Sequence, residues 1–202
     1  MRVSPSIRQA LAMTALCVSA QALAEPAKIG MITTLSGGGA SLGIDIRDGF
    51  ELAVKERNGQ LGGIDVEMMI VDDGRKVDNA KQIATRMVER DQVDVMTGIV
   101  WSNLAMAVIP GVTADGTIYI SPNAGPSLLA GKRCHPNYFN VAWQNDNLHE
   151  AMGQYVTDQG YQNVYLMAPN YPAGKDALAG FKRFYQGDIA GEVYTKLGQV
   201  DY

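Results

Sequence analysis

The feature that most constrains the fold of this chain is a regular alternation of short apolar, β-branched segments with segments of helical period. This alternation is typical of βαβ units, which build a parallel sheet with helices packed on its faces. We predict strands, most of them buried on both faces, at 28–33, 65–71, 93–99, 117–120, 138–143, 164–168 and 192–196. The chain is therefore expected to be an α/β protein.

The segments between these strands carry apolar stripes at three- and four-residue steps, as amphipathic helices do. One stripe runs through Ile46, Phe50, Ala53 and Val54, and another runs through Val77, Ala80, Ile83, Ala84, Met87 and Val88. Further along the chain, Asn147 and Glu150 have the spacing of a capping box, and Leu148, Met152 and Tyr155 continue the apolar face of that helix. Pro172 is expected in the first turn of a further helix.

Composition excludes several classes of protein. With 202 residues, 47% hydrophobic and 19% charged, the chain is globular rather than disordered. The net charge is −4 and no run of Lys or Arg occurs. Because nucleic-acid binding needs basic side chains that neutralise phosphates, we expect no nucleic-acid partner.

The first 24 residues have the pattern of a secretory signal peptide. Arg2 and Arg8 precede an apolar segment at 10–20, and Ala22-Leu23-Ala24 supplies a small-x-small cleavage site. The apolar segment is shorter than the about 20 residues that a membrane span requires. We therefore predict a signal peptide at 1–24 and a periplasmic protein.

Cys134 is the one cysteine in the sequence after residue 24. It cannot form an internal disulfide there, and it shows no metal-ligand spacing with its neighbour His135. We expect a partly buried thiol. The alternative is a disulfide partner that lies outside this sequence.

Candidate ligand-binding residues follow from the rule that ligands bind beyond the carboxyl ends of the strands in an open parallel sheet. The predicted strand ends hold both tryptophans, together with Ser and Asn side chains and few charges. Aromatic rings offer flat apolar contact, whereas hydroxyl groups and free backbone amides at a helix start suit a carboxylate. Packing in the core is the alternative role for Trp101, Trp143 and Tyr171. The predicted ligand-binding set is Ser36, Trp101, Ser102, Asn103, Asn123, Ala124, Gly125, Trp143, Asn145, Asp146 and Tyr171.

Catalytic motifs are not found in the sequence. His149-Glu150 lacks the second histidine of a zinc-protease helix, and no Gly-x-Ser-x-Gly segment occurs. The segment 37–41 fits neither the dinucleotide nor the phosphate-loop spacing. We therefore predict no catalytic residue, no metal and no cofactor, and a protein that is not an enzyme.

Several segments together resemble a known family, and their order and spacing carry the likeness. They are 28–30, 35–37, 49–53, 71–73, 120–122 and 170–174. They resemble the periplasmic solute-binding proteins of ABC transporters, in the leucine/isoleucine/valine-binding (type I) class. The resemblance implies two α/β lobes of parallel sheet flanked by helices, with the ligand clamped between the lobes by hinge closure.

Members of that family are longer than this chain, so the resemblance also implies an incomplete second lobe. We expect a first lobe at 25–143 and a partial second lobe at 144–202, in a sequence that is a fragment or a truncated product. In such proteins the first lobe binds the ligand carboxylate, which would involve Ser102 and the turn 123–125. The second lobe adds an aromatic side chain, which would be Tyr171.

The resemblance leaves the ligand open. Amino-acid binders of the class hold the ligand ammonium with an acidic residue, and Asp146 is the candidate here. The two tryptophans resemble instead the binders of aromatic and other non-amino carboxylates. The implied function is an exported substrate-binding component, a monomer, that captures a branched-chain amino acid or a related, including aromatic, acid and delivers it to an ABC transporter permease. The alternatives are a ligand-sensing domain of the same fold and an exported α/β hydrolase.

Overall fold

The computed structural model describes residues 25–201, so the predicted signal peptide at 1–24 lies outside the described residues. The strands are β1 (Ala27–Thr33), β2 (Gln60–Leu61), β3 (Ile64–Asp72), β4 (Val95–Gly98), β5 (Ile118–Ser121), β6 (Tyr138–Asn140), β7 (Asn163–Pro169) and β8 (Asp188–Thr195). The helices are α1 (Ala40–Glu56), α2 (Val77–Glu89), α3 (Ser102–Ala114), α4 (Ser127–Ala130), α5 (Asn147–Asp158) and α6 (Pro172–Phe184).

The first sheet has the strand order β2-β3-β1-β4-β5-β6. Its strands pair in parallel, except for the short β2, which pairs antiparallel with β3. Because these strands run in the same direction, their carboxyl ends lie along one edge of the sheet. The predicted α/β architecture is confirmed.

The main core lies between this sheet and the helices α2 and α3. From α2 it takes the side chains that recur at helical spacing, Ala80, Ile83, Ala84 and Met87. From the strands it takes Ile32, Met96 and Tyr119, all of them fully buried. The apolar stripe predicted for this helix is confirmed.

The second sheet contains β7 and β8, which pair in parallel. Helices α5 and α6 pack closely against each other, and α6 lies on one face of β7. A second core of Leu166, Ala168, Leu178, Phe181 and Tyr185 forms there. Pro172 opens α6, as predicted, because a proline in the first turn has no hydrogen bond to lose.

The β7–β8 sheet and helix α5 bury less apolar surface than the sequence predicts. Tyr165 and Met167 on β7 and Ile189 and Val193 on β8 are exposed, so this sheet is not buried on both faces. The predicted apolar face of α5 is exposed as well, since Leu148, Met152 and Tyr155 all face solvent. Helix α5 instead meets α6 at the small Gly153.

Local predictions need three corrections. The strand predicted at 138–143 ends at Asn140, and Trp143 lies in the loop that follows. Helix α5 begins at Asn147, but the side chain to backbone hydrogen bond of a capping box is not formed. The Asn147 side-chain nitrogen instead lies 3.4 Å from Glu150 Oε2. Cys134 is exposed rather than partly buried, because it lies in the turns between α4 and β6.

The lobe boundary at residue 143 stays a prediction. Among residues 25–201, no helix is both long enough and apolar enough to cross a bilayer.

Candidate ligand-binding site

A cleft of about 500 Å³ lies between the carboxyl-end edge of the first sheet and the start of α6. Its lining includes seven of the predicted ligand-binding residues: Trp101, Ser102, Asn123, Ala124, Trp143, Asn145 and Tyr171. They come from four separate places in the sequence. The strand-end rule therefore brings residues from both sheets to one cleft.

Ser102 forms the polar floor of the cleft at the first residue of α3. It is 3% exposed, and its Oγ accepts a hydrogen bond of 3.1 Å from the Asn145 side-chain amide. The first backbone amides of a helix have no carbonyl partner within the helix, and they lie at the positive end of its dipole. This end of α3 is therefore suited to bind a carboxylate.

The turn 123–125 forms the adjacent part of the floor. The Asn123 side chain donates a hydrogen bond of 2.9 Å to the Val100 carbonyl, which ties the end of β5 to the end of β4. The Gly125 carbonyl accepts 2.8 Å from the Asn145 backbone. Within residues 25–201, the backbone N–H of the buried Ala124 has no hydrogen-bond partner. That donor is available to a ligand.

Gly125 does not line the cleft, but its lack of a side chain lets the Trp143 loop approach the turn 123–125. A Cβ at this position would lie 1.9 Å from the Trp143 carbonyl oxygen and 2.6 Å from the Asn140 side-chain nitrogen. The same nitrogen donates 2.8 Å to the Trp143 carbonyl. A glycine is therefore needed to bring the Trp143 loop against the turn.

Aromatic side chains form the walls. The rings of Trp101 and Tyr171 lie with centroids 6.3 Å apart and planes inclined by 59°. The guanidinium of Arg75 stacks on the Trp101 ring, with its Cζ 4.2 Å from the ring centroid. Burial raises the pKa of Tyr171, and the nearby Arg75 charge opposes part of that rise. Trp143 is 49% exposed at the rim.

The backbone at the end of β4 turns sharply into this site. Ile99 has a φ of 62° although it is β-branched and fully buried. Residues of this type rarely adopt left-handed backbone, so the turn is strained. It directs the following residues Trp101 and Ser102 out of the sheet and into the cleft.

The other four predicted residues do not line the cleft. Gly125 acts through its neighbours, as described, and Asn103 follows Ser102 within α3. The Ser36 hydroxyl donates 2.5 Å to Asp72. Burial alone would raise the pKa of Asp72, but hydrogen bonds from Ser36 and the Leu35 backbone lower it.

Asp146 is directed away from the cleft. It is 2% exposed and accepts hydrogen bonds from Gln144 at 2.6 Å and from Arg183 of α6 at 3.2 Å. It lines a separate depression together with Asp176 and Arg183. Its carboxylate is therefore already paired within the protein.

Sequence reasoning missed His149, which lines the cleft from the first turn of α5, and two further kinds of site residue. One is the apolar wall from the end of β7 and the first turns of α5 and α6, which includes Leu148, Met167 and Ala173. The other is Arg75, which follows β3 and could have been found by applying the strand-end rule to that strand as well. Within residues 25–201, no group of three or more His, Cys, Asp or Glu residues is placed to hold a metal ion.

Comparison with known proteins identifies the class. Residues 26–202 match the family described as periplasmic binding protein, and the chain belongs to that family. A Leu/Ile/Val-binding protein homolog 6 from Brucella abortus (strain 2308) is 27% identical over 186 residues, which are 91% of this chain and 46% of that protein. The chain thus spans about half the length of this relative.

Solved structures agree with this assignment. A solute-binding protein of an ABC transporter from R. palustris, in complex with benzoate, superposes with a TM-score of 0.82 at 29% identity, over 87% of this chain and 50% of that one. A branched-chain amino acid transporter substrate-binding protein from Streptococcus pneumoniae, in complex with isoleucine, gives a TM-score of 0.78 at 25% identity, over 88% and 52% of the two chains. The two-lobed fold expected from the sequence is the fold of these relatives.

Proposed function

We propose that this protein is the periplasmic substrate-binding component of an ABC transporter and that its ligand is a small aromatic carboxylate of the benzoate type. The protein acts as a monomer, catalyses no reaction and delivers the ligand to a membrane permease. Delivery is proposed on family membership. The choice of ligand is proposed on the cleft.

One observation carries the choice of ligand. Among the described residues, the cleft lining contains serine, asparagine and histidine (His149) side chains and the rings of two tryptophans and one tyrosine, but no Asp or Glu. Residues 25–201 would give the ammonium of an α-amino acid in this cleft no carboxylate partner, and an unpaired buried charge is costly. The one acidic candidate, Asp146, is paired with Arg183. A ligand that has a carboxylate and an aromatic ring, but no ammonium, meets no such cost.

The proposed pose follows from the same residues. The carboxylate accepts hydrogen bonds from the Ser102 hydroxyl and the Ala124 backbone N–H, at the positive end of α3. The ring packs against the aromatic side chains Trp101 and Tyr171, where edge-to-face and offset contacts are favourable. The benzoate complex of the R. palustris relative supports this choice, and the isoleucine complex of the Streptococcus relative supports the competing one.

Calorimetry tests the ligand class. Benzoate should bind saturably and leucine should not. Ser102→Ala should weaken benzoate binding by about 1 kcal/mol or more, the usual scale for a hydrogen bond to a charged group. Ser41→Ala, at an exposed serine outside the cleft, is the matched control and should leave the affinity unchanged. Binding of leucine but not benzoate, abolished by Asp146→Asn, would assign the ammonium-anchor role to Asp146 and refute the proposal.

Delivery to a permease is tested separately in cells. Deletion of the gene should abolish uptake of labelled benzoate at low external concentration, and the Ser102→Ala gene should restore it only in part. Normal uptake in the deletion strain would contradict the transport function. In that case a ligand-sensing role would be favoured.

A further inference from the structure

Three side chains, Ser102, Asn145 and Asp176, form a hydrogen-bonded network that leads from the floor of the cleft and connects α3 to α6. Asn145 lies in the middle. Its side-chain nitrogen donates 3.1 Å to Ser102 Oγ on α3 and 2.9 Å to Asp176 Oδ2 on α6. Asp176 Oδ2 also accepts 3.0 Å from the Ser127 backbone N–H. Asp176 does not line the cleft itself.

The chemistry of the three side chains fixes the direction of each hydrogen bond in this network. A carboxylate at neutral pH only accepts, so Asp176 requires the amide nitrogen of Asn145, rather than its oxygen, to face it. The same nitrogen then donates to Ser102, whose oxygen is thereby an acceptor. A hydroxyl carries one hydrogen, and the Ser102 hydrogen is left to point elsewhere. The exposed direction from Ser102 is the cleft.

We propose that Asp176 is a positioning residue that acts through Asn145 to keep the Ser102 hydroxyl as a hydrogen-bond donor toward the ligand carboxylate. This inference rests on the proposed function and deepens it. Without Asp176, the Asn145 amide is free to rotate and present its oxygen to Ser102. The Ser102 hydrogen would then bond to Asn145, and its lone pairs would face the ligand carboxylate.

The Ser102–Asn145–Asp176 network also connects two separate parts of the fold. Ser102 belongs to the helix that follows β4, whereas Asp176 belongs to the helix that follows β7. The three-residue network is complete only when α3 and α6 lie side by side, as they do in this structure. The hydrogen bonds from Asn145 therefore tie the position of Ser102 to that of α6.

Two substitutions separate positioning from charge. Both hydrogen bonds to Asp176 fall on one oxygen, so Asp176→Asn can keep both acceptor contacts while it removes the charge. We expect Asp176→Ala to weaken benzoate binding about tenfold and Asp176→Asn to stay within about twofold of the wild type. Asp158→Ala, which removes an exposed carboxylate that accepts from Gln154, is the matched control and should have no effect.

A double-substitution cycle tests the route of action. In a Ser102→Ala background, Asp176→Ala should cause no further loss of benzoate affinity, because residues in one network are non-additive. Thermal unfolding of each variant, followed by circular dichroism, shows whether the fold is kept. If Asp176→Ala unfolds the protein, the cycle with Asn145→Ala in place of Asp176→Ala tests the same network.

The outcomes are distinguishable. A wild type that binds benzoate, with Asp176→Ala equal to it or with fully additive losses, overturns the positioning role alone. A loss in Asp176→Asn as large as in Asp176→Ala shows that the charge itself matters and also overturns the inference. A wild type that binds no benzoate refutes the proposed function, and the inference falls with it.

Discussion

The same substitution at two glycines of α1 should change stability in opposite directions. Gly43 and Gly49 both lie inside this helix, at helical backbone angles. Gly43 is buried against β1, and a Cβ there would lie 1.9 Å from the Thr34 carbonyl oxygen and 2.8 Å from Thr33 Oγ1. At Gly49 a Cβ would meet no atom within 4 Å.

The expected magnitudes follow from two effects. Replacing glycine by alanine inside a helix contributes about 1 kcal/mol of stability at either position. At Gly43 the new methyl group collides with backbone, which cannot rotate away, so α1 must move from the sheet by about 1 Å. Overpacking of this kind costs about 3 kcal/mol at the upper end of the usual range. We expect Gly43→Ala to destabilise by about 2 kcal/mol and Gly49→Ala to stabilise by up to about 1 kcal/mol.

Urea unfolding followed by circular dichroism measures both values, and an unchanged slope with denaturant shows that only stability has changed. The two variants are controls for each other, since they share the helix and the chemical change. A Gly43→Ala protein as stable as the wild type would show that α1 does not lie as close to the end of β1 as described. Destabilisation by Gly49→Ala would show that this face of the helix is covered.

Three further predictions concern single side chains. Asp146→Ala should destabilise the protein by about 1 to 2 kcal/mol, because it removes the ion pair with Arg183; the loss is no larger because Arg183 is half-exposed and regains water. Benzoate affinity should be unchanged, and a large loss of affinity in calorimetry would place Asp146 at the ligand. Arg75→Met should shift the tryptophan emission maximum, because the guanidinium lies over the Trp101 ring, and identical spectra would contradict that stacking. Burial, together with the Glu192 carboxylate, raises the pKa of Tyr194 from 10.0 to about 12, so its contribution to stability is full below pH 10 and is lost as the pH rises through 12. Tyr194→Phe should therefore lose less stability than the wild type over that range in urea titrations, and parallel profiles would refute the assignment.

The α/β fold could be predicted from the sequence because its signals are local. The period of α2 and the β-branched segments of β1 and β4 define buried faces without knowledge of any distant residue. The two-residue β2 was missed, since its pairing with β3 depends on a turn rather than on an apolar pattern. On α5, Leu148 and Met152 were expected to be buried, but a period defines a face and cannot tell whether another element covers it.

At the site, too, the sequence predicts what depends on local signals and misses what depends on distant residues. The strand-end rule found Trp101, Ser102 and Tyr171 because the topology alone places strand ends together. It could not show that Asp146 is paired with Arg183, which is 37 residues further along the chain. Asp176 lies within a helix and away from any strand end, so its contact with Asn145 became visible only in the structure.

The left-handed turn at Ile99 limits how this cleft can be redesigned. Glycine would relax the backbone by about 1 kcal/mol, but the loss of a buried isoleucine side chain costs at least about 2 kcal/mol. Two opposite demands thus meet at one residue, and no common amino acid satisfies both. Libraries that aim at new ligand specificity should therefore keep Ile99 and vary the exposed rim, where Trp143 and Leu148 can change shape without disturbing the core.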